Sequence, residues 1–154
     1  MVLDDEDFPD KFVRGIPQTV EYINNEFPTA KLFHGANTKY GKPEVSEISI
    51  NWYDCEKAFD IVMNMKKSNG SQIKHKAGVA IFLKSELDRV CEKPVLERSV
   101  SYERFPIGGN DFHGNILFYD RGFDKTMMSM VHSFLADCCI SSKPIVSYDE
   151  YIDD

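Results

Sequence analysis

Residues 100–119 read Val-Ser-Tyr-Glu-Arg-Phe-Pro-Ile-Gly-Gly-Asn-Asp-Phe-His-Gly-Asn-Ile-Leu-Phe-Tyr. Two strand-like runs flank a polar, glycine-rich connection, and the connection delivers His113 just before the second run. Asn110, Asp111, His113 and Asn115 place four side chains with lone pairs or donors within six positions. The first arm is expected over 95–105, with Leu96, Arg98, Val100, Tyr102 and Arg104 on one face, and the second over 115–119.

Downstream, Asp120-Arg121-Gly122 is a turn and Asp124 caps the most regular helix pattern in the chain. Met127, Met130, Val131, Phe134, Leu135 and Cys138 follow it at helical spacing, so a buried stripe is expected to about residue 139. Residues 145–148 offer one edge strand.

Upstream, Ser85 with Asp88 three places on resembles a capping box and opens a short helix that Pro94 stops. Residues 77–83 are continuously apolar, the pattern of a central strand covered on both faces. Asp54 is placed to cap a helix running to about 67, with Cys55, Phe59, Val62, Met63 and Lys66 along its face and Ala58, Ile61 and Met65 broadening the stripe. Residues 45–52 alternate, with Ile48, Ile50 and Trp52 on one side and Glu47, Ser49 and Asn51 on the other. Residues 30–34 read as a short strand, and Pro17 sits well for the first turn of a helix to about Phe27. Strands and helices mix without a strict βαβ rhythm. The expected fold is α+β: one compact domain, a mixed or antiparallel sheet of four to five strands, and about three helices.

The totals fit one domain. The chain has 154 residues, 42% hydrophobic and 12% aromatic, enough for a real core. No apolar run approaches the roughly 20 residues that span a bilayer. The start, Met-Val-Leu-Asp-Asp-Glu-Asp, is acidic where a secretory leader is basic and then apolar, so the protein is expected in the cytoplasm. Cys55, Cys91, Cys138 and Cys139 show no C-x-x-C spacing and read as reduced core thiols.

Net charge is −7, and its distribution matters more than its sum. Residues 1–10 carry Asp4, Asp5, Glu6, Asp7 and Asp10 with no base, and residues 149–154 carry Asp149, Glu150, Asp153 and Asp154, again with none. Those nine leave 16 of the 25 acids against all 18 lysines and arginines, so residues 11–148 are slightly basic. Acidic tails at 1–10 and 149–154 are expected to flank a domain over 11–148.

Three constellations can carry chemistry. Phe-His-Gly occurs at 33–35 and again at 112–114, and a His34/His113 pair brought together across a sheet has the equipment for acid–base cleavage of a phosphodiester, with Asp111 and Asn115 beside it. The plainer use of a histidine at a strand end is a hydrogen bond to backbone. His34, His113 and Asp111 also form the one metal-ligand set worth weighing, but no spacing motif fixes it. Lys66, Lys67, Lys74 and Lys76 on one loop can grip phosphates, although the acidic ends oppose nucleic-acid affinity. Phosphate-loop, dinucleotide-binding and Gly-x-Ser-x-Gly patterns are absent, and no cofactor is expected.

The leading expectation is therefore a small protein-interaction module, an accessory, inhibitor or immunity-type factor of microbial or phage character, binding a basic protein through its acidic ends. The competing expectation is a metal-independent hydrolase or nuclease using His34 and His113.

Overall fold

The hairpin expected around residue 110 forms. Strands β6 (Val100–Arg104) and β7 (His113–Tyr119) pair antiparallel, with Val100 opposite Phe118 and Arg104 opposite Gly114. The computed structural model describes residues 10–16, 23–24, 27–28, 30–33, 45–52, 56–66, 72–75, 78–96, 99–119 and 125–139. Its other strands are β1 (Lys11–Ile16), β2 (Ile23–Asn24), β3 (Phe27–Pro28), β4 (Val45–Trp52) and β5 (Gly78–Leu83); its helices are α1 (Glu56–Met63), α2 (Lys84–Cys91) and α3 (Lys125–Asp137). The main sheet has the order β5-β1-β4-β7-β6 with every neighbouring pair antiparallel, and β2 with β3 forms a separate two-stranded ribbon. This is the expected α+β class, in its antiparallel form.

The period-two alternation of the strands divides the core. On one face Phe12, Ile16, Ile48, Ile50, Trp52, Ala80, Phe82, Val100, Ile116 and Phe118 pack against Leu87 and Val90 of α2, Val131 and Leu135 of α3, and Leu32 and Phe33. Each fully buried large apolar side chain here contributes about 1.5–3 kcal/mol. On the opposite face the apolar cluster lies on the β5–β1 side, where Val13, Val79 and Ile81 meet Ala58, Phe59 and Val62 of α1, and Leu117 of β7 is also buried on that face. Towards β4, β7 and β6 alternation gives that same face Ser49, Asn51, Ser101, Glu103, His113 and Asn115.

The sheet curls over its larger core. Phe12 on β1 and Tyr102 on β6 are three strand positions apart, about 14 Å in a flat sheet, yet their rings meet edge to face with centroids at 5.5 Å. Gly114 on β7 is packed tightly between β6 and the Trp52 ring. A Cβ there would lie 2.6 Å from the Glu103 carbonyl oxygen and 3.3 Å from the Trp52 ring.

Several expectations are corrected. In place of a helix over 17–27, the described residues form the β2–β3 ribbon, with Ile23 opposite Pro28 and Asn24 opposite Phe27. Asn24-Asn25 favours a tight turn over a helix interior. Residues Ala30–Phe33 are a 3-10 helix and not a strand, which lets the adjacent Leu32 and Phe33 both reach the core where a strand would separate them. Strand β1, second in the sheet order, has no place in the sequence reading. Arg14-Gly15 interrupts its alternation, and Arg14 is accommodated because its guanidinium donates to the Leu32 and Ser49 carbonyls, each at 2.5 Å.

Strand β5 is covered on both faces as expected but lies at the end of the sheet, where Phe82 also bridges Cys139. The capping box at Ser85 does not form: the cap position is Leu83, without a side-chain cap bond. Asp88 instead accepts from Lys84 Nζ at 2.9 Å and from the Tyr102 hydroxyl at 2.5 Å. Residues 94–96 are a 3-10 turn, so the first hairpin arm starts at Val100, and the second starts two residues early, at His113. The acidic residues of 1–9 and 149–154, the loop 68–71 and the edge strand at 145–148 lie outside the described residues.

Candidate functional site: the tip of the β6–β7 hairpin

Beyond Arg104 the ladder continues for one rung, with Phe105 N–H donating to the His113 carbonyl at 2.9 Å. The chain then closes tightly around Gly108-Gly109. Asn110 N–H donates to the Ile107 carbonyl at 2.8 Å and Ile107 N–H to the Asn110 carbonyl at 3.2 Å. Gly109 takes φ +80°, the left-handed conformation that the third position of a type II turn requires.

A second, smaller turn follows, held by the Asn110 side chain, whose Oδ1 accepts from Phe112 N–H at 3.1 Å. The same carboxamide pairs with that of Asn51 on β4. Asn51 Nδ2 donates to Asn110 Oδ1 at 3.4 Å, and Asn110 Nδ2 donates to Asn51 Oδ1 at 3.2 Å. Both residues are buried. The backbone bond to Phe112 fixes which way the Asn110 amide faces, and the reciprocal pair then fixes Asn51. Trp52 N–H, donating to the Phe112 carbonyl at 3.1 Å, ties the same turn to β4 a second time.

His113 closes the assembly from the other side. Its Nδ1 lies 2.7 Å from the Phe105 carbonyl oxygen. A carbonyl only accepts, so Nδ1 carries the hydrogen, and a neutral ring then holds its lone pair on Nε2. The imidazole is buried, with the Phe105 ring edge-on to it at 6.4 Å. Held at these points, residues 105–109 present Phe105, Pro106 and Ile107 to the outside. Among the described residues the exposed large hydrophobic side chains are Val95, Phe105 (37%) and Ile107 (42%), and two of the three stand on this turn.

The residues expected to act chemically are only partly assembled. His113 and Asn115 share one face of β7, with Asn115 buried between Ser49 of β4 and Glu103 of β6. Asp111 is exposed at the turn. His34 lies outside the described residues, and with it the histidine pair. Among the described residues no group of three or more His, Cys, Asp or Glu side chains is arranged to hold a metal, and no helix is long and apolar enough to cross a membrane. In the lysine loop, Lys66 bridges Ile73 and Lys74 N–H donates to the Met65 carbonyl, and both Lys66 and Lys74 are exposed. Lys67 and Lys76 are outside the described residues, as are the acidic end residues Asp4, Asp5, Glu6, Asp7, Asp149, Glu150, Asp153 and Asp154.

Asn51 is the member of this site that sequence reasoning did not assign. Its one signal is an amide on the polar side of a strand whose next residue, Trp52, is fully buried. Burial also pushes the thiols of Cys91, Cys138 and Cys139 up to about 12. The Tyr102 hydroxyl rises to about 12 as well, through burial first and then its bond to Asp88. These groups are neutral packing elements at neutral pH. Comparison with protein-family models, curated proteins and solved structures finds no match for the chain.

Proposed function

We propose that this protein is a cytoplasmic interaction module that docks on a basic protein, with the β6–β7 tip as its apolar anchor and the acidic ends as its long-range attraction. The observation that carries the reading is the tip: Phe105 and Ile107 exposed on a turn that Asn110 and His113 hold in one shape. A turn already held in its bound shape loses little entropy on association, and large aromatic side chains such as Phe105 are enriched at protein interfaces. The net charge of −7, with nine acids gathered at the ends, selects a basic partner and speeds its approach.

The test is capture on the immobilised full chain, from its native source, across a salt series. Wild type runs beside the Phe105→Ser/Ile107→Ser variant and a chain trimmed of residues 1–9 and 149–154. The expected partner is basic, is released as salt rises, and binds the tip variant roughly tenfold or more weakly per side chain removed. A partner retained equally by wild type, tip variant and trimmed chain overturns the reading.

One observation favours a second reading, acid–base hydrolysis at His113. The Phe105 carbonyl selects the tautomer with its lone pair on Nε2, the form a general base needs. Hydrolysis of a phosphodiester by wild type that is lost in His113→Gln, with the fold retained, supports it. Activity unchanged in that variant removes it.

A further inference from the structure

His75 lies outside the hairpin and has a seat of its own. Its imidazole rests on the backbone of Gly15 in β1: a Cβ at Gly15 would fall 2.3 Å from His75 Cγ and 2.4 Å from both Cδ2 and Nδ1. Only glycine leaves room for the ring. The segment that carries it is tied down by Lys74 N–H to the Met65 carbonyl at 2.8 Å, by Gly78 N–H to the His75 carbonyl at 3.2 Å, and by the Lys66–Ile73 bridge.

The seat suits a neutral imidazole and rejects a charged one. Nδ1 is sealed from solvent with no hydrogen-bond partner, and a neutral ring avoids a stranded N–H there by keeping its one hydrogen on Nε2. Protonation would turn Nδ1 into a buried donor without an acceptor. Among the described residues, the charged groups that bear on the ring are Lys74 from its own segment and Arg14 from β1, both cationic. Lys66 stands across the bridge from Ile73, and Gly78 and Val79, where β5 begins, are uncharged.

We infer that His75 is an acid-released latch: protonation lifts the ring from Gly15 and detaches the 72–75 segment from the sheet while the remaining fold stands. Burial first, then Lys74 and Arg14, lower the His75 pKa from 6.5 to about 4. Above 6.5 the ring is neutral whether seated or released, so the latch is indifferent to pH. Between 6.5 and about 4 the released ring takes up a proton that the seated ring refuses, so acid favours release. The opening equilibrium should therefore grow about tenfold per pH unit across that window.

Hydrogen exchange of the Lys74 and Gly78 amides in the full chain, corrected for intrinsic rates, reads this opening directly. The expected result is loss of protection at both amides below pH 6.5 while amides of β4 and β7 stay protected. His75→Phe, a ring that cannot titrate, should abolish the pH dependence. The His75 ring-proton titration provides an independent check, with a midpoint near 4 in wild type, displaced upward in Gly15→Ala where the seat is filled. Protection at Lys74 and Gly78 that does not change with pH, an unchanged pH dependence in His75→Phe, or a wild-type midpoint near 6.5 would each overturn the latch.

Discussion

Asn51 and Asn110, 59 positions apart in the chain, face each other in the interior and exchange two carboxamide hydrogen bonds of 3.4 and 3.2 Å. One amide belongs to a strand of the sheet and the other to the turn that connects two different strands, so the pair fastens the hairpin tip to the sheet. Removing one partner leaves the other buried and unmatched, which costs more than a hydrogen bond contributes.

Asn110→Ala should destabilise the fold by roughly 2–4 kcal/mol, because it deletes the pair with Asn51 and the bond from Phe112 together. Asn51→Ala should cost somewhat less, since the turn keeps its Phe112 bond. Urea unfolding of both single variants and the double variant should give a coupling of about 0.5–3 kcal/mol. Simple additivity would show that the two amides do not act as a unit.

The glycines of the hairpin should respond to alanine in different ways. Gly114→Ala drives a Cβ to 2.6 Å from the Glu103 carbonyl oxygen, and a cost of about 1–3 kcal/mol is expected from the overpacking. Gly109→Ala meets open space but must adopt φ +80°, at about 1–2 kcal/mol. Gly108→Ala meets neither obstacle and should be neutral or stabilising by up to ~1 kcal/mol. Thermal or urea unfolding that fails to rank the three in this way contradicts the turn geometry.

The thiols of Cys91, Cys138 and Cys139, pushed up to about 12, should alkylate slowly in the native protein. At pH 8 their thiolate fraction is about a thousandfold below that of an ordinary cysteine. Iodoacetamide labelling resolved by residue in mass spectrometry, native against urea-unfolded, checks this. Equal rates at Cys138 in the two states would contradict its burial.

How much of this the sequence discloses depends on whether the signal is local. Ile48, Ile50 and Trp52 alternate with polar residues over a whole strand and bury as expected, and the helical spacing around residues 127–138 is legible too, with Val131, Leu135 and Cys138 buried while Met130 and Phe134 are half-buried. Strand β1 is not legible, because Arg14 occupies a core-side position that its bonds to the Leu32 and Ser49 carbonyls make tolerable. Ser85 and Asp88 look like a cap, yet Tyr102 and Lys84 claim the carboxylate. The polar cluster at 110–115 announces itself, while the partner that orders it, Asn51, is distant in the chain and visible only once β4 and β7 are side by side.

The proposed docking role needs residues 105–112 to keep one shape, and backbone 15N relaxation of the full chain measures that rigidity residue by residue. Order parameters of about 0.85 are expected for Ile107, Asn110 and Phe112, matching β6 and β7. Values below about 0.6 across those residues, with the strands rigid, would contradict it.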